Sequence, residues 1–267
     1  MLLTSENYYS REANEEYLSV SQYKDFMGTY GKPGCEEYAL AKLNGTWVEN
    51  MEDSPALMMG SYVDAHFEGT LDLFKAQHSC MFKKDGNLKS DYIKANEMIN
   101  RCERDALFMR YMSGEKQVIM TADMFGAKWK IKIDSYHPGK CIVDLKTCQS
   151  IKKIFPHHDI GFLNFLGEWG YYIQGAVYQK VVEINTGKKL PFFIAAVSKE
   201  KVADIELIAV EQSLLDEALM EVEHNTPTIL MLKNGETKPI RCEVCDYCKA
   251  TKVLTKPIWS SELIGEV

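Results

Sequence analysis

Two short runs that alternate apolar and polar residues, Trp129–Asp134 and Cys141–Lys146, flank the turn-forming His137-Pro138-Gly139. This stretch constrains the fold more than any other, because it predicts a β-hairpin. Asp134 closes the first strand. Asp144 and Lys146 lie two apart on the second, so their side chains leave the same face. Two carboxylates and one ammonium at a strand end make a site for a divalent cation beside a proton-handling or charge-stabilising lysine. The competing reading is a solvated strand face with a surface ion pair.

The chain has 267 residues, 46% of them hydrophobic, enough for one large domain or a domain with a helical appendage. No run approaches the ~18 apolar residues of a membrane span, and MLLTSENYY lacks the basic start and apolar segment of a signal peptide. Eight cysteines without such a signal point to a reducing, cytoplasmic setting. A net charge of −7 excludes a protein coated in basic surface. Residues 128–153 nevertheless hold seven lysines against two aspartates. Such a strip suits a polyanion fed into a confined site, with Lys128, Lys130, Lys152 and Lys153 as its contacts. Alternating lysines also suit the solvated face of an edge strand, where they block aggregation.

Along the chain, a polar arm spans residues 1–18. A helix over SQYKDFMG is capped by Ser19 or Ser21 and ended by Gly28. A second helix follows Cys35. Ser54-Pro55 starts a third that carries Gly60 and His66, the histidine being either a core residue or a ligand. Residues 70–89 read as irregular, and 90–112 as one amphipathic helix. After a strand over 116–122 and the hairpin, a long helix ends near Gly187. It places Gln174 and Tyr178, four apart, on one face. Strands over 191–198 and 204–210 and a helix over 214–223 follow. The tail carries Cys242, Cys245 and Cys248. The expected architecture is an α/β core with a mixed central sheet flanked by helices, plus N-terminal helices and a cysteine-bearing tail. It is expected to be a single domain: an N-terminal arm and helices to residue 53, a core over 54–210, and a C-terminal segment over 211–267.

His66, Asp134, Asp144-Leu145-Lys146 and Gln174-x3-Tyr178, in that order, resemble the PD-(D/E)xK nuclease superfamily, with its restriction-endonuclease-like fold. The match is nearest to the RecB- and RecE-like branch and to the phage-type exodeoxyribonuclease VIII proteins. LSVSQYKDFMG, GCEEYALAKLNG, ALMMGSYVDAHFEG and CDYCKATK are similar to that family's segments, and the resemblance runs over residues 17–255. Ile133 stands before Asp134 where the motif has proline. The resemblance implies that His66, Asp134, Asp144 and the Leu145 carbonyl hold Mg²⁺ or Mn²⁺. It implies that Lys146 orients or deprotonates water, and that Gln174 and Tyr178 hold the DNA backbone. It further implies a 5′–3′ exonuclease on linear double-stranded DNA in phage-type recombination, a ring-shaped homo-oligomer and a RecT-like annealing partner. The alternative is a catalytically silent DNA-binding or assembly module. Related nucleases with one early and three late cysteines hold a four-iron four-sulfur cluster. By that likeness Cys35, Cys242, Cys245 and Cys248 are candidate ligands of such a cluster or of Zn²⁺. Cys80, Cys102, Cys141 and Cys148 read as packing or incidental thiols.

Overall fold

The computed structural model describes residues 1–260, so residues 261–267 of the expected C-terminal segment lie outside the described residues. In chain order the elements are α1 (Arg11–Glu16), α2 (Val20–Met27), the two-residue strands β1 (Gly28–Thr29) and β2 (Lys32–Pro33), α3 (Glu36–Leu43), α4 (Pro55–Glu68), α5 (Leu71–Gln77), α6 (Ser90–Glu103) and α7 (Ala106–Tyr111). There follow β3 (Val118–Met124), β4 (Ala127–Ile133), β5 (Ser135–His137), β6 (Cys141–Cys148), β7 (Phe155–His157), β8 (Gly161–Leu163), α8 (Phe165–Glu168), α9 (Tyr171–Thr186), β9 (Phe192–Ser198), β10 (Ile205–Ala209), α10 (Gln212–Lys233) and α11 (Asp246–Ala250).

The central sheet has the order β10-β9-β6-β5. β6 and β9 are parallel and the outer pairs antiparallel, so the sheet is mixed. A parallel pair needs a long crossover, and the segment carrying α9 supplies it. Alternation along β6 assigns its two faces. Ile142 and Cys148 join a core with α9, α10, α2 and the β3–β4 ribbon, while Val143 and Leu145 join a second core with α4, α6 and α7. Helices therefore cover both faces, which is why β6 and β9 are apolar almost throughout. The charged exceptions on β6 are Asp144 and Lys146, which point to the α9 side. Burying a carboxylate there is tolerated only with a partner.

The predicted hairpin is present but divided. Its first limb breaks at Asp134. β4 pairs with β3, while only β5 pairs with β6, with Ser135 opposite Val143 and His137 opposite Cys141. Asp134 thus sits where the chain leaves one sheet and enters another. Its carboxylate accepts the Leu145 N–H at 2.9 Å, a donor that a continuous ladder would have paired with backbone.

Further boundaries differ from the sequence reading, α1 within the arm and the β8–α8 segment ahead of α9 among them. Residues 70–89 contain α5 rather than irregular chain throughout. The helix expected over 90–112 is two helices, because Asp105 stops the first by capping α7, accepting from Leu107 N and Phe108 N. The helix expected to end at Glu223 runs on through Pro227 to Lys233. Burial of Thr226, Ile229 and Leu232 along the same face as Leu215, Ala218 and Val222 offsets the hydrogen bond that proline removes. Several of the helix ends read correctly have explicit caps. Ser19 accepts from Gln22 N ahead of α2, Ser54 from Leu57 N ahead of α4, and Gly187 closes α9 in the left-handed region.

Candidate active site and thiol centre

A cavity of about 420 Å³ opens between the N-terminal arm, α2, α4, β4, β6 and α9. Asp64, Asp134, Asp144, Lys146, Gln174 and Tyr178 all line it. Asp144 is 1% exposed. Gln174 Nε2 donates to its Oδ1 at 2.6 Å, and its Oδ2 lies against the Lys146 ammonium. Tyr178 O–H donates to the Lys132 carbonyl at 3.0 Å, tying α9 to β4. The four-residue spacing that put Gln174 and Tyr178 on one face therefore aims both at the cleft. Gly170, with φ +64°, opens α9. A side chain there would meet Thr29 and Lys24, so glycine lets α9 dock against α2.

The electrostatics follow from crowding three carboxylates in a buried place. Burial pushes Asp144 up to about 7, Lys146 opposing and Asp134 adding to the rise. Burial and the neighbouring Asp134 raise Asp64 well above the ordinary carboxylate range, against the pull of Lys146. Burial alone would depress Lys146, but Asp144, Tyr171 and Asp134 hold it above its usual value, so its ammonium persists at neutral pH. Tyr178 is raised by burial, with Asp144 and Asp134 adding to it. Asp64, Asp134 and Asp144 therefore crowd one another in the cleft, with Lys146 opposing the rise at Asp64 and Asp144. Carboxylate oxygens with the Leu145 carbonyl are hard donors of the kind Mg²⁺ and Mn²⁺ take, so this residue set fits such an ion.

His66 is not brought to the carboxylates. Its Nε2 lies 2.9 Å from Glu103 Oε1 on α6, and it is absent from the cavity wall. Asp64 occupies the place expected of it. Two residues apart on a helix are about 200° apart around its axis, so only one of the pair can face the cleft. The signal for Asp64 was available as Gly60-x3-Asp64-x3-Glu68, three residues on one face. Gly60 runs close to Thr147 of β6, and Asp64 and Glu68 line the cavity. Lys24 is a second residue missed. Its Nζ donates to the Trp169 carbonyl at 2.8 Å, and it shares the Tyr171 ring with Lys146, the two ammoniums lying 5.2 and 5.1 Å from the ring centre. Burial and then Lys146 lower it to about 7.

The expected basic strip does not form a free surface. Lys130 is 1% exposed, its Nζ donating to the Tyr8 carbonyl and to Asn14 Oδ1. Lys128 pairs with Glu16 at 2.9 Å. The N-terminal arm covers Lys130, whereas Lys128 pairs with the arm but stays exposed and Lys132 is half-buried. Lys153 donates to Gln149 Oε1, and Lys152 stays exposed beside it in the loop after β6.

The second gathering is made of sulfur. The Sγ atoms of Cys35, Cys242, Cys245 and Cys248 lie within 4.8 Å of one another. Cys35 and Cys248 are 3.5 Å apart, and Cys242 and Cys248 4.0 Å. Cys35 is the N-cap residue of α3 and Cys245 that of α11. Backbone N–H groups of Cys245 and Cys248 donate to the Sγ of Cys242 and Cys245 at 3.3 and 3.4 Å. Burial raises the Cys242 thiol, but the N–H groups of Val244 and Cys245 outweigh it and bring it down to about 7. The tail is further fastened to α3 by Arg241–Glu37 at 2.8 Å and by Ile240 N–H to Glu36 at 2.7 Å. Among the other cysteines, Cys102 and Cys148 are buried packing residues and Cys80 and Cys141 are half-buried.

A family model described as a PDDEXK-like domain of unknown function (DUF3799) matches residues 19–251. The chain is also similar to a crystal structure from Eubacterium rectale described as "Putative exonuclease", at 56% identity over 100% of both chains and a TM-score of 0.96. No curated protein matches the chain. The α/β core expected from the motif is the fold observed, with the cysteine cluster near its C-terminus. No helix among the described residues is long and apolar enough to cross a membrane.

Proposed function

The chain belongs to this PDDEXK-like family, and from that premise we propose that it is a metal-dependent nuclease that hydrolyses phosphodiester bonds in DNA. The observation that carries the reading is the meeting of Asp64, Asp134, Asp144 and Lys146 in one cleft with Gln174 bonded to Asp144. The likeness to the Eubacterium rectale protein supports an exonuclease. Linear double-stranded DNA, 5′–3′ polarity, a role in phage-type recombination, a ring-shaped oligomer, a RecT-like partner and a cytoplasmic setting extend the same proposal, with one nuclease domain carrying the activity.

Asp64, Asp134, Asp144 and the Leu145 carbonyl would hold Mg²⁺ or Mn²⁺. A bound divalent ion supplies Lewis acidity and a lowered pKa for its water. The chain's own groups do the rest. Lys146, held protonated by Asp144, offers positive charge to the phosphoryl oxygens as charge builds on them. Gln174 fixes the rotamer of Asp144. Tyr178 holds α9 against β4, so that Asp134 and Asp144 keep their spacing. Lys24, next to Lys146 over Tyr171, is a second cation for the phosphate in its protonated form, which the phosphate's negative charge favours.

Digestion of linear against covalently closed circular DNA with and without Mg²⁺ tests the reading. Loss of the linear substrate alone, only with the ion, is expected. Intact DNA in every lane would favour the silent binding module.

The four thiols are proposed to hold one structural ion such as Zn²⁺. A tetrahedral centre with metal–sulfur bonds near 2.3 Å places its sulfurs about 3.8 Å apart. A four-iron cluster puts a sulfide core between its cysteines and spreads them to roughly 6 Å. The separations of 3.5 and 4.0 Å match the single ion. Elemental analysis of purified protein should find zinc near one per chain. Iron in its place, with absorption near ~400 nm, would select the cluster.

A further inference from the structure

The lysines of β4 are arranged to hold one segment. Lys128 pairs with Glu16, Lys130 donates to the Tyr8 carbonyl, and Lys132 lies over both the Tyr8 and Tyr9 rings. The result is a tethered arm whose tip is aromatic. Tyr8 is buried, whereas Tyr9 is 69% exposed yet lines the same cavity as Asp64, Asp134 and Asp144. Its ring meets Tyr8 edge to face at 4.9 Å, with the Lys132 ammonium also 4.9 Å from its centre. The Tyr9 ring is left in water but flanked by Tyr8 and Lys132, while its carbonyl accepts from Asn14 Nδ2 at 3.3 Å, so it is held in place without being packed. That is the condition under which a flat ligand gains most from stacking, because little side-chain freedom remains to lose.

We propose that Tyr9 is a stacking platform for an unpaired nucleobase, positioning the nucleotide whose phosphate lies at the carboxylates. The proposal rests on the nuclease reading and deepens it. A cavity of about 420 Å³ is of the size that holds a small ligand, and a duplex does not fit in it. The strand therefore enters with its terminal base free, and every base offers a π face whatever its identity. Lys132, beside the ring, supplies the positive charge for the adjoining phosphate.

The test is a chemical double-mutant cycle on the full chain. Binding of a single-stranded oligonucleotide with a terminal 2-aminopurine is read by fluorescence in Ca²⁺, against the same strand with a terminal abasic site. Stacking on an aromatic side chain predicts that Tyr9→Leu weakens binding of the intact strand about five- to hundredfold and relieves the 2-aminopurine quenching. Tyr9→Phe should keep both. Removing the base should cost the wild-type protein a similar factor and cost Tyr9→Leu almost nothing further. Equal binding of both strands by wild type and Tyr9→Leu would overturn the platform, as would a Tyr9→Phe loss equal to that of Tyr9→Leu. Because the readout is binding, it stands apart from the digestion assay. Wild-type protein that cleaves no DNA defeats the nuclease reading, whereas an unchanged cycle defeats only the platform.

Discussion

The chain builds two places fit for a metal, and they are opposites. The carboxylate site draws on α4, the β4–β5 break and β6, and two of its acids are already engaged: Asp134 with the Leu145 N–H, Asp144 with Gln174 and Lys146. Burial, with the neighbouring Asp134 adding to it, pushes Asp64 and Asp144 toward their protonated forms. The thiol centre draws on one residue near the start of the chain and three near the end. It is tight, and backbone N–H groups already point at its sulfurs. A hard, open, internally frustrated oxygen site suits an ion that exchanges and keeps a position for substrate. A closed set of four soft ligands suits an ion that stays. On the proposed reading, one protein separates chemistry from fastening by ligand type.

Five measurements would break or sharpen that contrast. The largest effect should come from Asp144→Asn, which is expected to lower DNA hydrolysis on the order of 10³-fold or more while leaving the zinc content unchanged. Lys146→Ala should cost on the order of 10²-fold with divalent-ion binding retained in calorimetry. Full activity in both variants would remove the cleft from the chemistry. Within α4, Asp64→Asn should cost on the order of 10²-fold, whereas His66→Ala should stay within about threefold. The reverse ranking in a steady-state assay would restore the histidine.

At the other site, Cys35→Ser should release the ion and lower Tm by about 5–10 °C, while hydrolysis per folded molecule changes only a few-fold. An activity loss as deep as that of Asp144→Asn, in protein that melts normally, would show that the two sites are coupled. The smallest effect is in pH. Asp144 titrates near 7 in the folded chain and near the ordinary carboxylate value when unfolded. Between about pH 4 and 7 the folded protein therefore holds a proton that the unfolded chain has lost, and stability falls as pH rises through this window. An ion on the carboxylates replaces that proton. The gain in Tm from saturating Mg²⁺ should be near zero at pH 5 and a few degrees at pH 8 by calorimetry. An equal gain at both values would mean that the ion binds elsewhere.

The parts of the site that lie on one element were legible. Asp144 with Lys146 follows from strand period, and Gln174 with Tyr178 from helix period. What was hidden depends on contacts far apart in sequence. Lys130 looks solvated until Tyr8, more than a hundred residues earlier, lays its carbonyl across it. Asp134 reads as the end of a hairpin strand, and only the competition of β3 for β4 turns it into a break between sheets. The choice of Asp64 over His66 was set by which helical face meets β6, and a mostly apolar helix gives weak guidance on that. The length of α10 failed for the same reason, because buried contacts outweighed a proline rule that holds locally.

The ion proposed between Cys35 and Cys248 also has a topological consequence. Those residues are 213 apart, so a metal gripping both turns nearly the whole chain into a ring. In the polymer picture, closing a ring of that length removes about 5 kcal/mol of freedom from the unfolded chain. Closing the Cys242–Cys248 turn alone removes far less, because the effect grows with the logarithm of the loop. The stabilisation would act on the disordered ensemble and leave every native contact as it is. Cutting the chain at one exposed loop should then leave its two halves joined as a single object, held end to end by a bond that a chelator can undo.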